Sequence, residues 1–192
     1  RGTVTDLFRY YSGNESAWPR DALRMTFVSN HDKNSWEGTQ FELMGDALDN
    51  AIALSVIGEG IPLVYNGQEA GNRKRLEFFE KDAIEWRDHP VGELYTRLLS
   101  LRKTHSPLWN GAWGARMEPV VNDAPQRVLT FVRRNAEAAV LGLGDVFEEE
   151  IGDVGFGPEP VADVVVVNIL GSLAFPGLRK AWPVHQAGHQ RQ

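Results

Sequence analysis

Cysteine is missing from the chain. Its absence excludes disulfides, thiolate nucleophiles and cysteine-type zinc sites together, and leaves the compartment open. Excess basic charge is missing too. Lys and Arg number 20 against 26 Asp and Glu, a formal net charge of −6, with no dense basic block. That excludes the phosphate-neutralising stripe of a nucleic-acid partner. No apolar run reaches the ~20 residues that span a bilayer, and no apolar signal-peptide core comes after Arg1-Gly2-Thr3, so no membrane partner is expected. The start at Arg rather than Met predicts a fragment or processed product. A Gly-x-Ser-x-Gly nucleophile elbow and internal repeats are absent as well.

The residues present suffice for a core. Of 192 residues, 42% are hydrophobic, enough for one domain or one and a half. Thr3 to Tyr11 reads as a short helix with Leu7, Phe8 and Tyr11 on one face, followed by a loop over Ser12 to Ser16. Leu23 to Ser29 reads as a strand that ends abruptly in Asn30-His31-Asp32. Phe41 to Ile57 predicts one long helix, because Leu43, Ala47 and Ala51 recur every four residues, as do Met44, Leu48 and Ile52. Gly58-Glu59-Gly60 closes it, and Ile61 to Tyr65 reads as a second strand ending in Asn66-Gly67-Gln68-Glu69.

Strand, helix and strand with short links make a βαβ unit with parallel strands. The carboxyl ends of both strands then share one side, which places His31, Asp32 and Glu69 on one face. After a charge-rich segment over Asn72 to Glu85, Pro90 opens a helix with Val91, Leu94, Tyr95, Leu98, Leu99 and Leu101 as its buried face. Arg102, Lys103 and His105 suit its carbonyl end, and Ser106-Pro107 stops it. The texture changes near Pro107. Met117 to Val121, Val128 to Arg133 and Ala138 to Leu143 read as short strands joined by turn residues, and Val161 to Leu170 as one further apolar strand. The expected division is 1–107, 108–176 as a β-rich domain, and 177–192 as a disordered tail. An acidic cluster, Asp145 with Glu148, Glu149, Glu150 and Asp153, reads as a solvated loop.

The polar groups admit several readings. Asp32 is either a cap for the adjoining turn or, with His31, a chemical pair at a strand end. A metal site is a third option, but it needs several converging ligands, and His89, His105, His185 and His189 fall on helix ends or the tail. Asp32 and Glu69 could be a glycosidase carboxylate pair; otherwise Glu69 forms an ion pair with Arg73 or Arg75. Trp36, Trp86, Trp109 and Trp113 could stack on sugars, with core or hinge packing favoured for Trp86 and Trp109. The clusters Arg73-Lys74-Arg75 and Arg133-Arg134 read as solvated charge.

Phe27-Val28-Ser29-Asn30-His31-Asp32 resembles the last catalytic-region motif of the α-amylase family, glycoside hydrolase family 13. Gly60 to Glu69 is similar to that family's next strand. Ile84-Glu85-Trp86 and the helix ending Leu101-Arg102-Lys103 resemble the family's segments after that strand. The match runs from about Thr3 to Arg133. The resemblance implies an α/β fold: the last two βα units of a TIM (β/α)₈ barrel, then a small antiparallel, sandwich-like β domain. It implies retaining chemistry at α-glucosidic bonds of an α-glucan or α-glucoside, with Asp32 the transition-state-stabilising carboxylate and His31 a sugar-binding residue. The family's nucleophile and acid lie on earlier strands, in a missing N-terminal barrel portion; a whole barrel takes ~250 residues. The chain alone is therefore expected to be inactive. No cofactor is expected in it, though calcium is possible in the complete enzyme. A non-catalytic carbohydrate-binding or interaction module and a small metal-dependent hydrolase are the alternatives.

Overall fold

Thr3 and Asp6 start the first helix by bonding to each other reciprocally. The Thr3 hydroxyl accepts the Asp6 N–H at 3.2 Å, and the Asp6 carboxylate accepts the Thr3 N–H at 2.8 Å. In the computed structural model, which describes residues 3–145 and 164–168, this helix, α1 (Val4–Ala17), runs beyond Tyr11 through the stretch expected to be a loop. Ser12 and Ser16 satisfy their hydroxyls on the Arg9 and Gly13 carbonyls within the helix. Val4 and Tyr11 anchor one face in the core. Pro19 ends the helix by disfavouring helical backbone at Trp18.

The parallel pair expected from the βαβ reading is present. β1 (Met25–Thr26) lies beside β2 (Ile61–Pro62), with Met25 opposite Ile61 and Thr26 opposite Pro62. The ladder is shorter than expected, with the Ile61 N–H donating to Arg24 O at 2.7 Å and the Leu63 N–H to Thr26 O at 2.8 Å. The connection is not one helix but two, α2 (Gln40–Met44) and α3 (Leu48–Ile57), joined by a 3₁₀ turn. The break falls at Gly45, whose φ of 54° and ψ of −131° leave helical space, a conformation glycine adopts at little cost. Side-chain periodicity across Phe41–Ile57 was blind to that backbone freedom.

α4 (Pro90–Thr104) buries Val91, Leu94, Tyr95 and Leu98 as expected, but Leu99 is exposed and Arg102 is buried in its place. The 3₁₀ turn Ser106–Leu108 then leads to a four-stranded sheet in the order β3 (Glu118–Pro119), β4 (Val128–Arg134), β5 (Ala139–Asp145), β6 (Val164–Asn168). The first three are antiparallel, whereas β6 runs parallel to β5. The expected acidic loop beyond Asp145 and the 177–192 tail lie outside the described residues.

One continuous core joins α1, α3 and α4 to the sheet through Leu108, Met117, Leu129, Phe131 and Val140. Two buried guanidiniums stitch the same junction. Arg133 donates to the carbonyls of Ile57 (3.0 Å), Gly58 (2.8 Å), Leu108 (3.3 Å), Trp109 (2.8 Å) and Ala115 (2.9 Å). Arg102 donates to Val56 O and Gly60 O, both at 2.5 Å, and to Asn110 Oδ1. Both cations therefore sit at the carbonyl end of α3, where the helix dipole favours positive charge. Burial pushes each guanidinium down to about 10, still charged at neutral pH. The reading of Arg133 as solvated is thus corrected. It shares a strand face with Leu129 and Phe131, and that face is inside.

Candidate functional site

The site begins with a choice of cap. Asn30 Oδ1 accepts the Lys33 N–H at 2.8 Å, and Asn30 O accepts the Asn34 N–H at 2.9 Å. Asn30 thus satisfies the donors that open the turn after β1. Asp32 makes no capping hydrogen bond. Its carboxylate stands 3.5 Å from His31 Nε2, and the two side chains are 61% and 64% exposed. Of the readings open for Asp32, capping is overturned, because Asn30 occupies that role. An anionic acceptor and an imidazole remain side by side in solvent at a strand's carboxyl end, where α/β proteins place their sites.

The turn itself, Lys33–Glu37, is π-helical, with Gly38 N–H bonded to Lys33 O at 2.8 Å, five residues back. Such wide turns recur at functional sites. It is pinned from the other side. Buried Asn34 accepts the Leu76 N–H at 2.8 Å, and Ser35 Oγ donates to Leu76 O at 2.6 Å. One turn later, Arg75 reaches Glu42 at 3.0 Å and holds that carboxyl down at about 2.

Below these contacts lies a buried amide pair. Gln40 Nε2 donates to Gln68 O at 2.9 Å, Gln68 Nε2 donates to Gln40 Oε1 at 3.1 Å, and Tyr95 OH donates to the same oxygen. Gln68 Oε1 also accepts the Tyr65 N–H at 2.6 Å. The loops after β1 and β2 are therefore laced together through side chains. Polar groups that are buried and fully bonded fix one arrangement rather than several.

Glu69 lies just after β2, yet it is half-buried and its carboxylate accepts the Gly67 N–H of its own turn at 3.1 Å. The expected ion pair with Arg73 or Arg75 is not how those cations are used. Arg75 takes Glu42, and Arg73 lies 3.8 Å over the Phe41 ring. Trp36 is 63% exposed, in keeping with a stacking surface. Trp86 and Trp109, expected in core or hinge packing, are also exposed.

Sequence reasoning missed Phe78, whose ring lies 5.7 Å from that of His31. It lies in the segment read only as charge-rich, and the Asn34 and Ser35 contacts that place it are long-range. Among the described residues no three His, Asp or Glu side chains gather as a metal-binding group. His89 Nδ1 accepts the Val91 N–H, and His105 Nδ1 lies 3.0 Å from Leu101 O. No helix among the described residues is long and apolar enough to cross a membrane.

No protein-family model matches the chain. Alpha-amylase 2 of Dictyoglomus thermophilum is 25% identical over 162 residues, covering 77% of this chain and 26% of that protein. A noncanonic maltogenic alpha-amylase from Thermotoga neapolitana superposes with a TM-score of 0.64 at 21% identity, over 75% of this chain and 33% of the other. An alpha-amylase from Lactobacillus plantarum gives 0.55 at 23% identity, over 71% and 31%. The fold is thus of the α/β kind seen in these enzymes. Over about three quarters of its length this chain resembles the α-amylase family in sequence and in fold, and it spans about a quarter to a third of the proteins it matches.

Proposed function

We propose that the chain is the carboxyl-terminal part of an α-amylase-type glycosidase acting on α-glucosidic bonds, with β1 and β2 as the last two barrel strands and the sheet from residue 108 as the start of the β domain. Asp32 is the carboxylate that stabilises the oxocarbenium-like transition state, and His31 binds hydroxyls of the same sugar. The observation that carries this is the capping by Asn30. It leaves His31 and Asp32 unspent by the fold and exposed at the carboxyl end of the parallel pair.

The chemistry comes from placement. A carboxylate accepts hydrogen bonds from sugar hydroxyls in the ground state. As positive charge grows at the anomeric centre, the same carboxylate stabilises it electrostatically, most strongly where water is displaced. Neither residue needs to attack carbon. The nucleophile and acid are expected from barrel strands outside this chain. β1 supports that expectation: Leu23, Met25 and Phe27 alternate outward, at 49%, 59% and 38% exposure. A period-two apolar face left open on a strand is a face built to be covered.

The test is Asp32→Asn in the complete barrel enzyme. It is expected to lower kcat/KM for a chromogenic α-maltoside by about 10²–10³-fold, the scale of a lost electrostatic stabiliser. An unchanged rate would overturn the assignment. The chain by itself is expected to release no glucose or maltose.

A further inference from the structure

Beside His31 the structure carries an aromatic surface that the fold does not consume. The Phe78 ring centroid lies 5.7 Å from His31 and 5.5 Å from Trp36, tilted 38° and 39° to them. Phe79 meets Phe78 edge-on at 4.7 Å and Trp36 at 6.5 Å. Phe78 is half-buried and serves as the keel. Trp36 and Phe79 are 63% and 81% exposed, so two large rings face solvent next to the polar pair.

We propose that Trp36 and Phe79, held by Phe78, form a stacking platform for a second glucosyl unit, adjacent to the one gripped by His31 and Asp32. This rests on the proposed function and deepens it by assigning a subsite. A pyranose presents an apolar C–H face and a rim of hydroxyls. Its binding therefore needs an aromatic face joined to a polar edge, and that juxtaposition is present here. Charged residues flank the rings in sequence: Lys33 and Glu37, which pair with each other, bracket Trp36, and the exposed Glu77 and Glu80 bracket Phe78 and Phe79.

The platform's position is built. Asn34 and Ser35, inside the π-helical turn next to Asp32, bond both backbone groups of Leu76, two residues before Phe78. The same turn thus presents the polar pair, carries Trp36 and fixes the phenylalanines.

Titration calorimetry of the chain with glucose and with maltose tests this. Maltose is expected to bind at least tenfold more tightly than glucose. Trp36→Ala and Phe79→Ala are expected to remove that advantage, weakening maltose about tenfold while leaving glucose unchanged, and Trp36→Phe to restore most of it. His31→Ala is expected to weaken both sugars. Equal affinities of Trp36→Ala and wild type for maltose would overturn the platform and leave the proposed function standing. An equal loss for both sugars would also overturn it, since that marks a displaced loop. A chain that binds neither sugar overturns both readings.

Discussion

Charged side chains stand at both ends of the β1–β2 pair, and the fold treats them in opposite ways. At the amino ends, where α3 delivers the chain to β2, Arg102 and Arg133 are buried, and their guanidinium groups are spent on carbonyls. At the carboxyl ends, His31 and Asp32 are more than half exposed, and the backbone donors near them are satisfied by Asn30 instead. Charges that the architecture needs are enclosed and multiply bonded. Charges available to a ligand are left where other residues have already met the backbone's demands. In barrel enzymes this is the division between a stabilising and a chemical face.

The comparison breaks most sharply at Arg133. Replacing it by Leu strands five carbonyls among buried groups, each costing ~1–3 kcal/mol when unpaired and dry. A loss of about 3 kcal/mol or more is expected in urea denaturation, and Arg133→Lys is expected to recover little, because an ammonium cannot fork. Gln40→Leu comes next. It removes one partner of the buried amide pair and leaves Gln68 without its acceptor, at about 2 kcal/mol, with faster amide exchange expected in the loops after β1 and β2.

His89 sharpens the contrast through pH. Burial, then the Arg87 and Arg73 charges, lower its pKa below the ordinary 6.5, and its neutral Nδ1 accepts the Val91 N–H that starts α4. The folded state therefore binds this proton less well than the unfolded chain. Its contribution is full above about 6.5 and is lost as pH falls through the lower folded value. Stability measured between pH 7.5 and 5 should fall with acid, and less so in His89→Asn. The smallest effect is expected at Asp32: Asp32→Asn should change stability by no more than ~0.5 kcal/mol, as for an exposed side chain with no structural bond.

Much of this was legible in the residues. The parallel pair was readable from two apolar runs flanking an amphipathic one, and the exposed acid and imidazole from their place after the first run. The resemblance carried by Phe27 to Asp32 and Gly60 to Glu69 agreed with the fold of the matched enzymes. The features that escaped depended on single residues acting against their neighbours' pattern. Gly45 broke a helix whose side-chain periodicity was intact. Arg102 and Arg133 went inside because helix carbonyls awaited them, which no local pattern records. Phe78 came to His31 because Asn34 and Ser35 fasten a segment more than 40 residues away in the chain.

The most direct test is the melting temperature of the wild type and of Asp32→Asn, each with and without saturating maltotetraose. A ligand that binds the folded state raises this temperature by mass action. If Asp32 is held for sugar rather than for the fold, both proteins melt together without ligand, and the wild type rises well above the variant when sugar is added. A variant that already melts several degrees lower without sugar, or that rises as far as the wild type with it, would contradict the account.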